Sequence, residues 1–183
     1  MSTKTLLTSE DLWKIVADGS RYELWRGELA PMTPVGLQHG RIVIRFGRLL
    51  DRYVEKQRLG AVCTEVGFRL FHRPDTVWAP DIAFIAQSRL PQGKAVEKFV
   101  EFSPDLAIEV LSPWDSATEI MRKVEDYLAG GVRLVWIVDP GTQRVTVYRS
   151  LQEVTILTPE QELYGGEVIP GFRIRVAEIF DLP

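Results

Sequence analysis

The sequence has few of the residues that build disulfides, zinc sites and covalent active sites. Its 183 residues include one cysteine, Cys63, and two histidines. A single cysteine excludes an internal disulfide and is typical of proteins in the reducing cytoplasm, where we expect this chain to work. No P-loop, GxGxxG, HExxH, GxSxG or zinc-type Cys/His spacing occurs. Acyl transfer and covalent catalysis are therefore poorly supported, which leaves metal-assisted hydrolysis.

Long apolar runs and blocks of like charge are also absent. The longest apolar stretches have the length of a strand, so the sequence predicts no membrane-spanning helix. The net charge of −3 argues against a protein that coats nucleic acid non-specifically, although it is compatible with a local basic surface. With 45% hydrophobic and 26% charged residues, the composition is that of a globular protein. We expect one domain over residues 1–183, with residues 1–20 as an N-terminal helical appendage.

Hydrophobic periodicity predicts short strands interrupted by two main helices. The predicted helices cover residues 9–17, 38–58 and 116–129, and the predicted strands cover 22–25, 28–32, 61–71, 77–86, 106–111, 134–138, 144–148, 154–157 and 167–169. A loop with a short helix is expected over residues 87–103 and an N-terminal β-hairpin over 22–32. The C-terminal β extension is expected to be a small hairpin of residues 154–157 and 167–169. The strand–helix–strand unit over residues 106–138 needs a crossover. The expected class is therefore α/β or α+β, with a mixed central sheet flanked by helices.

Two acids lie in strands that are otherwise apolar. Glu109 is in the middle of the strand over residues 106–111, and Asp81 opens another apolar strand directly after Pro80. Burying an ionised carboxylate is costly unless it is paired or binds a metal. Mg²⁺ favours one or two carboxylates together with waters and substrate phosphates. Considered alone, Asp81 is best explained as a turn cap, and Glu109 has a buried salt bridge as its alternative. If their strands pair, the two acids together favour a metal site.

The helix that follows the Glu109 strand carries a lysine at the edge of its apolar face. Lys123 lies beside Ile120, Val124 and Leu128 in the helical period, and only a short turn separates the helix from the strand. A lysine there could reach back over the strand ends. It would hold an attacking water or neutralise charge on a phosphorane-like transition state. The alternative is a surface lysine whose alkyl chain covers apolar surface while its ammonium reaches water.

The predicted helix over residues 38–58 has a basic stripe beside its apolar one. Its members, which are four, three and four residues apart, are Arg41, Arg45, Arg48 and Arg52. Such a stripe could follow a phosphate backbone, or it could be a solvated helix face paired with Asp51 and Glu55. His39 opens this helix and could face the two acids, although a lone histidine is more often a capping or packing residue.

Short motifs succeed one another along nearly the whole chain from Tyr22 onward. They are Tyr22-Glu23-Leu24, Gly27-Glu28-Leu29, His39, Pro80-Asp81-Ile82-Ala83-Phe84, Pro104-Asp105-Leu106-Ala107-Ile108-Glu109-Val110-Leu111-Ser112-Pro113, Lys123 with Tyr127, Trp136-Ile137-Val138-Asp139-Pro140, and Pro170-Gly171-Phe172. In their order and spacing they make the chain resemble the Uma-type restriction endonuclease family, a branch of the PD-(D/E)XK nuclease superfamily. The resemblance implies a restriction-endonuclease-like fold, in which a mixed sheet lies between helices.

The resemblance also implies roles for individual residues. Asp81 and Glu109 would be the metal-binding acids. Asp105 also follows a proline, but it is too close to Glu109 in the sequence to match the two-acid spacing of the superfamily. The usual lysine position, two residues after the glutamate, is Leu111 in this chain, so Lys123 on the following helix takes that role. The auxiliary candidates are His39, Glu28 and Tyr127.

The expected function is that of a Mg²⁺- or Mn²⁺-dependent endonuclease that hydrolyses phosphodiester bonds of DNA. We expect a homodimer, because cutting both strands with one site per chain favours a two-fold pair. A first alternative is a non-catalytic nucleic-acid-binding or scaffold protein on a nuclease fold, which the displaced lysine and the acidic net charge favour. A second alternative is a structural ion-pair network of the two acids and Lys123.

Overall fold

A computed structural model describes residues 5–91 and 96–182 of the chain. The helices are α1 (Ser9–Val16), α2 (Leu37–Gln57), α3 (Ala117–Ala129) and α4 (Ala177–Phe180), and a 3₁₀ turn covers Gln87–Arg89. The strands are β1 (Tyr22–Trp25), β2 (Glu28–Pro31), β3 (Gly60–Cys63), β4 (Phe68–Phe71), β5 (Thr76–Trp78), β6 (Ile82–Ala86), β7 (Leu106–Val110), β8 (Leu134–Asp139), β9 (Arg144–Tyr148), β10 (Val154–Leu157), β11 (Glu162–Tyr164) and β12 (Arg173–Arg175). Residues 1–4 of the predicted appendage and 92–95 of the predicted loop lie outside the described residues.

Six strands form the central sheet, in the order β10-β9-β8-β7-β6-β3. β7 and β8 are parallel and are joined by α3, whereas the other neighbouring pairs are antiparallel. Every residue of β7 is buried, and so are the residues of β8 from Leu134 to Val138. Because side chains alternate along a strand, β7 and β8 supply groups to both faces of the sheet. This mixed sheet between helices confirms the expected fold class.

α2 covers one face of the central sheet through side chains spaced four residues apart. The buried members are Ile42, Phe46, Leu50 and Val54. Phe46 stacks on Trp136 of β8, with the ring centroids 5.7 Å apart. The C-terminal segment joins the same core through Phe172, whose ring centroid lies 6.1 Å from that of Trp136. This face of the sheet is therefore an apolar core.

α3 and a second sheet cover the opposite face. The second sheet has four strands in the order β2-β1-β5-β4, and β1 with β2 is the predicted N-terminal hairpin. The residues that pack between α3, this sheet and the central strands include Trp78, Ala107, Val124, Tyr127 and Val135. Glu109 belongs to this face, because it lies two residues after Ala107 in β7. The acid is thus enclosed by α3 and the second sheet.

Two of the predicted strands are each two strands in the structure. The stretch predicted over residues 61–71 divides into β3 of the central sheet and β4 of the second sheet. Glu65 lies between them with a φ of 53°, a left-handed conformation that interrupts a strand. The stretch predicted over residues 77–86 divides into β5 and β6 around Pro80, which has no N–H for a sheet ladder. Both breaks carry the chain from one sheet to the other.

The pairing predicted for the C-terminal region was wrong. Residues 154–157 form a strand, but this strand pairs with β9 and not with residues 167–169. The C-terminal two-stranded sheet is formed by β11 and β12. Residues 167–169 lie in a turn instead, since Gly166 has a φ of 57° and Pro170 has no N–H to donate. The short helix α4 was not predicted.

Candidate active site

The antiparallel pairing of β6 with β7 places the two acids side by side. Ile82 pairs with Ile108, so Asp81, one residue earlier, lies beside Glu109, one residue later. Asp81 Oδ2 accepts a hydrogen bond from the Val110 amide at 2.7 Å. This bond to the backbone fixes the Asp81 carboxylate at the end of β6, next to the strand that carries Glu109.

α3 brings a lysine and a tyrosine onto Glu109. The helix begins with a capping box of Ser116 and Glu119, and Lys123 lies on its second turn. Lys123 Nζ lies 3.2 Å from Glu109 Oε1. One turn further on, the buried Tyr127 hydroxyl donates to the same oxygen at 2.6 Å. The short turn between strand and helix therefore suffices for both side chains to reach the acid.

Glu23 is a further charged member of the cluster that the sequence interpretation missed. It is buried in β1, and its Oε1 accepts a hydrogen bond from the Ala79 amide at 2.8 Å. Its Oε2 lies 3.0 Å from Lys123 Nζ, so the ammonium is held between Glu23 and Glu109. The signal that could have identified it is the one used for Glu109, an acid inside a short strand, here beside the fully buried Leu24.

His39 approaches the acids from the first turn of α2. Its Nε2 lies 3.3 Å from Asp81 Oδ2, so the imidazole does face the acids. Burial lowers the pKa of His39, but the hydrogen bond and the charge of Asp81 outweigh burial, and the pKa is raised. His39 Nδ1 is buried and has no hydrogen-bond partner within the described part of the chain. The histidine thus supports Asp81 through one of its two nitrogens.

Three carboxylates of the cluster share the charge of one lysine. Burial raises the pKa of Glu109 to about 7; Lys123 opposes this rise, and the charges of Asp81 and Glu23 add to it. Burial lowers the pKa of Lys123, but its two carboxylate partners outweigh burial and raise it. The lysine is therefore charged at neutral pH, and the acids around it still carry an excess of negative charge. A bound cation would relieve this excess.

The cluster opens into a cavity of about 250 Å³. Glu23, His39, Asp81, Glu109 and Lys123 all line it. Within the part of the chain that the structure describes, the bonds to Asp81 fall on Oδ2 and those to Glu109 fall on Oε1, which leaves one oxygen of each carboxylate for a ligand. Two carboxylates completed by waters and phosphate oxygens are a donor set that fits Mg²⁺ or Mn²⁺. Within residues 5–91 and 96–182, no three or more His, Cys, Asp or Glu side chains form a group that could hold a metal, so an all-protein cage does not fit.

A family model and a solved structure match the chain. The model for Uma2, described as "Putative restriction endonuclease", matches residues 9–177. The chain belongs to the Uma2 family. A crystal structure described as that of "a putative nuclease belonging to DUF820" from Anabaena variabilis shares 22% sequence identity, over 95% of this chain and 97% of that chain, with a TM-score of 0.84. At this identity the likeness shows a common fold. No curated protein matches the chain.

The auxiliary candidate Glu28 and the rejected candidate Asp105 lie away from the cavity in this member of the Uma2 family. Glu28 is exposed at the start of β2 and is not among the lining residues. Asp105 is at the opposite end of β7 from Glu109, where its carboxylate pairs with Arg89 at 3.0 Å and accepts from the Ala86 amide at 2.8 Å. Asp105 is therefore separate from the cluster of Asp81 and Glu109.

The four arginines of α2 are also outside the lining of the cavity in this Uma2 protein. Arg45 is engaged by the C-terminal segment, since its Nε donates to the Glu178 carbonyl at 3.0 Å. Arg48 and Arg52 are exposed, and Arg41 is half-buried. The stripe is therefore a surface separate from the acids.

Among the helices of the described residues, none is both long enough and apolar enough to cross a membrane.

Proposed function

We propose that the chain is a metal-dependent endonuclease that hydrolyses phosphodiester bonds of DNA. The observation that carries the proposal is the meeting of Asp81, Glu109 and Lys123, from three segments of the chain, at one open cavity. The description of the Uma2 family as restriction endonucleases supports this chemistry, and so does the nuclease description of the Anabaena protein. Because a fold alone does not establish an activity, the proposal depends on the site.

Asp81 and Glu109 would hold Mg²⁺ or Mn²⁺, together with a nearby main-chain carbonyl. When bound, such an ion lowers the pKa of water and neutralises charge on phosphoryl oxygens. The excess of carboxylates supports this assignment, since Glu23, Asp81 and Glu109 surround a single lysine, Lys123. His39 would hold the Asp81 carboxylate in place.

Lys123 would supply positive charge beside the reacting phosphate. Its pKa is raised, and its ammonium has three donors for the two carboxylates that hold it. The remaining donor could orient an attacking water or stabilise charge on the transition state. Tyr127 would position Glu109 through its hydrogen bond, and Glu23 would position Lys123 in the same way.

Calorimetric titration with Mg²⁺ and with Mn²⁺ is the first test. We expect saturable binding to the wild type and its loss in Asp81→Ala and in Glu109→Ala. The matched control is Glu125→Ala, which removes an exposed carboxylate of α3 and should leave binding unchanged. The titration should be repeated with a DNA duplex, because Mg²⁺ takes part of its ligands from substrate phosphates. Binding that survives both substitutions would refute the two-acid site.

Cleavage of supercoiled plasmid DNA tests turnover. The wild type should nick or linearise the plasmid when Mg²⁺ or Mn²⁺ is present. Lys123→Met should lower the rate by about a hundredfold or more, which is the usual effect of removing a donor that stabilises transition-state charge. Lys56→Met, which changes an exposed lysine of α2, should cut at the wild-type rate. Equal rates for the two variants would remove Lys123 from the mechanism.

The second candidate function is a non-catalytic nucleic-acid-binding or scaffold protein. One observation favours it, which is that Lys123 Nζ lies 3.0 Å from Glu23 and 3.2 Å from Glu109, so the cluster is closed by its own ion pairs. Under this alternative the wild type binds DNA but does not cut it with either cation. Asp81→Ala would then leave DNA binding unchanged.

We also propose that the chain acts as one domain over residues 1–183, and as a homodimer in the cytoplasm. A duplex has two strands to cut, and a chain with one site is expected to act on them as a two-fold pair. Size-exclusion chromatography with light scattering, under the conditions of cleavage, measures the oligomeric state. A monomer that linearises plasmid would refute the homodimer.

A further inference from the structure

Trp114 is 82% exposed, more than any other large apolar side chain of the described residues. The remaining tryptophans have partners: Trp13 contacts Phe99, Trp25 contacts Arg26 and Arg122, Trp78 contacts Asp126 and Lys123, and Trp136 stacks with Phe46 and Phe172. For the Trp114 indole, no such contact occurs within residues 5–91 and 96–182. A single exposed apolar residue needs no explanation by itself. The significance of Trp114 comes from its position in the fold.

Trp114 is presented by a short connection between β7 and α3 that is closed by hydrogen bonds. The Ser112 amide donates to the Asp115 carboxylate at 2.7 Å, and the Asp115 amide donates to the Ser112 carbonyl at 3.2 Å. The Trp114 amide donates to Ser112 Oγ at 3.4 Å, and Pro113 restricts its own φ. Because hydrogen bonds already order the connection, binding of a ligand to the indole costs little conformational entropy of this backbone segment.

This connection forms part of the wall of the acid cavity. Trp114 lines the same cavity as Asp81 and Glu109. Another part of the lining comes from the segment after β2, through Met32 and Val35, and Val35 is 46% exposed. The cavity therefore combines buried acids with an exposed aromatic and aliphatic surface. A ligand that reaches the acids lies within reach of the indole.

The charge of the lining makes this apolar surface important for nucleic acid. The acids of the lining are Glu23, Asp81, Glu109, Asp115 and Glu119, and its basic groups are His39, Arg122 and Lys123. An excess of carboxylates repels phosphates, so the phosphate backbone alone gives weak attraction to this cavity. Stacking of a base on an aromatic side chain does not need positive charge and accepts every base.

We infer that Trp114 stacks on an unpaired nucleobase and so directs the proposed endonuclease toward DNA whose bases are outside the duplex stack. In an intact duplex both faces of a base are covered by its neighbours, so an indole can reach a base face only where the base is unpaired or extruded. Single strands, loops and extruded bases are the substrates that meet this condition. The inference rests on the proposed function and specifies its substrate class.

Fluorescence anisotropy with labelled oligonucleotides tests the inference without turnover. The probes are a DNA single strand, its blunt duplex, and the same duplex with an unpaired bulge, each in Ca²⁺ and in EDTA. We expect Trp114→Ala to weaken single-strand and bulge binding by about tenfold and duplex binding by less than about twofold. Trp114→Phe should keep most of the affinity, because a phenyl ring also stacks. Ile156→Ala, at a 59% exposed position of β10 outside the cavity lining, is the matched control.

Tryptophan fluorescence gives an independent readout. Addition of an unlabelled single strand should quench the emission of the wild type and of Ile156→Ala, and the quenching should shrink in Trp114→Phe. The inference is overturned if the wild type binds no single-stranded probe or binds it no better than duplex. It is also overturned if Trp114→Ala weakens all the probes by the same factor.

Plasmid cleavage separates this inference from the proposed function. Cleavage that is lost in Asp81→Asn, with no effect of Trp114 on probe preference, keeps the nuclease and removes the inference. Trp114-dependent binding of single strands, with no cleavage by the wild type, keeps the role of Trp114 in binding and removes the activity.

Discussion

Asp75 and Glu109 are buried to nearly the same extent, with 7% and 6% of their surfaces exposed, but the protein holds them differently. Asp75 accepts hydrogen bonds from the Ser9 amide at 2.8 Å and the Arg73 amide at 3.2 Å, and it pairs with Arg69 at 3.2 Å. Burial acts to raise the pKa of Asp75, yet these donors outweigh burial and the pKa is lowered. The ionised form of this acid is fully supported by the protein.

Glu109 has fewer donors and more neighbours of its own sign. Lys123 and Tyr127 contact one of its oxygens, while the charges of Asp81 and Glu23 lie close by. Burial raises the pKa of Glu109 to about 7 in these surroundings. The comparison teaches that an equally small exposed fraction does not fix the state of an acid: burial acts to raise the pKa of both, and the donors outweigh it at Asp75 but not at Glu109, where like charges add to it. The fold stabilises the first acid as a carboxylate, whereas the second lies in an excess of negative charge that a bound cation would relieve.

Of the substitutions around Asp75 and Glu109, Asp75→Ala should cause the largest loss of stability. It leaves the Ser9 and Arg73 amides without their acceptor and removes one of the carboxylates paired with Arg69, so we expect a loss of about 3 kcal/mol in the free energy of unfolding. Urea unfolding measures this loss. Glu125→Ala, at an exposed carboxylate, should change stability by less than about 0.5 kcal/mol. A similar small change for Asp75→Ala would contradict the comparison.

The contribution of Asp75 should disappear in acid. Because its folded pKa is below the ordinary 3.8, the folded chain binds fewer protons than the unfolded chain in that range. The contribution is therefore complete above the ordinary value and is lost as the pH falls through the lower, folded one. Urea unfolding of the wild type and of Asp75→Asn, from neutral pH down to about pH 3, should show their difference shrinking. A difference independent of pH would exclude this charge as the cause.

Lys123→Met, next to Glu109, should lower the free energy of unfolding by about 2 kcal/mol, because two buried carboxylates lose their shared cation. Glu23→Gln in the same chain should recover part of this loss, with a coupling of about 1–2 kcal/mol between the two sites. Added Mg²⁺ should stabilise Lys123→Met more than it stabilises the wild type, since it meets a larger excess of negative charge. Urea unfolding with and without Mg²⁺ measures both effects. Strictly additive single changes would show that the two residues act independently.

Glu109→Gln should have a much smaller effect on stability than Asp75→Ala. It removes a buried charge from a group of like charges, so the free energy of unfolding should stay within about 1 kcal/mol of the wild type or rise. The same change should abolish Mg²⁺ binding and plasmid cleavage. Urea unfolding, calorimetry and the cleavage assay report these outcomes. A loss of stability as large as that of Asp75→Ala would make Glu109 a structural acid as well.

Arg48 and Arg52 lie away from both Asp75 and Glu109, so replacing them should affect neither the fold nor metal binding. If they contact the DNA backbone, replacing either with alanine should reduce the slope of log affinity against log salt by about one. DNA binding measured over a series of salt concentrations gives this slope. Arg144→Ala, at an exposed arginine of β9, should leave it unchanged. Equal slopes for the wild type and all these variants would show that Arg48 and Arg52 do not contact the DNA backbone.

The sequence was enough to place Glu109 and its strand, since a carboxylate inside an apolar run is visible without the fold. Lys123 became a candidate from its place at the edge of an apolar helix face after a short turn, and the family resemblance gave it a role, because its helix alone does not distinguish it from a surface lysine. Glu23 carries the same signal, an acid inside a predicted strand, but in a weaker form. Its partner Lys123 is 100 residues away in the sequence, and a four-residue strand does not show which of its sides is covered.

The breaks that divide the predicted strands over residues 61–71 and 77–86 were missed for a similar reason. Glu65 adopts a left-handed conformation that its residue type does not announce, so residues 61–71 resemble one strand. The contact of Asp75 with the Ser9 amide spans 66 residues and gives no local signal. Local period and composition therefore predicted the three longer helices and most strands, whereas the pairing of distant segments needed the structure.

The bond between Asp81 and the Val110 amide ties the site to the alignment of β6 and β7. The same alignment buries Ile82 opposite Ile108, so a slip of one residue would turn the side chains of β6 to the wrong face and carry Asp81 away from Glu109. Under the proposed function, correct folding and competence to cut would then be a single condition. A newly made chain with its strands misaligned would lack the paired acids and would not cut DNA.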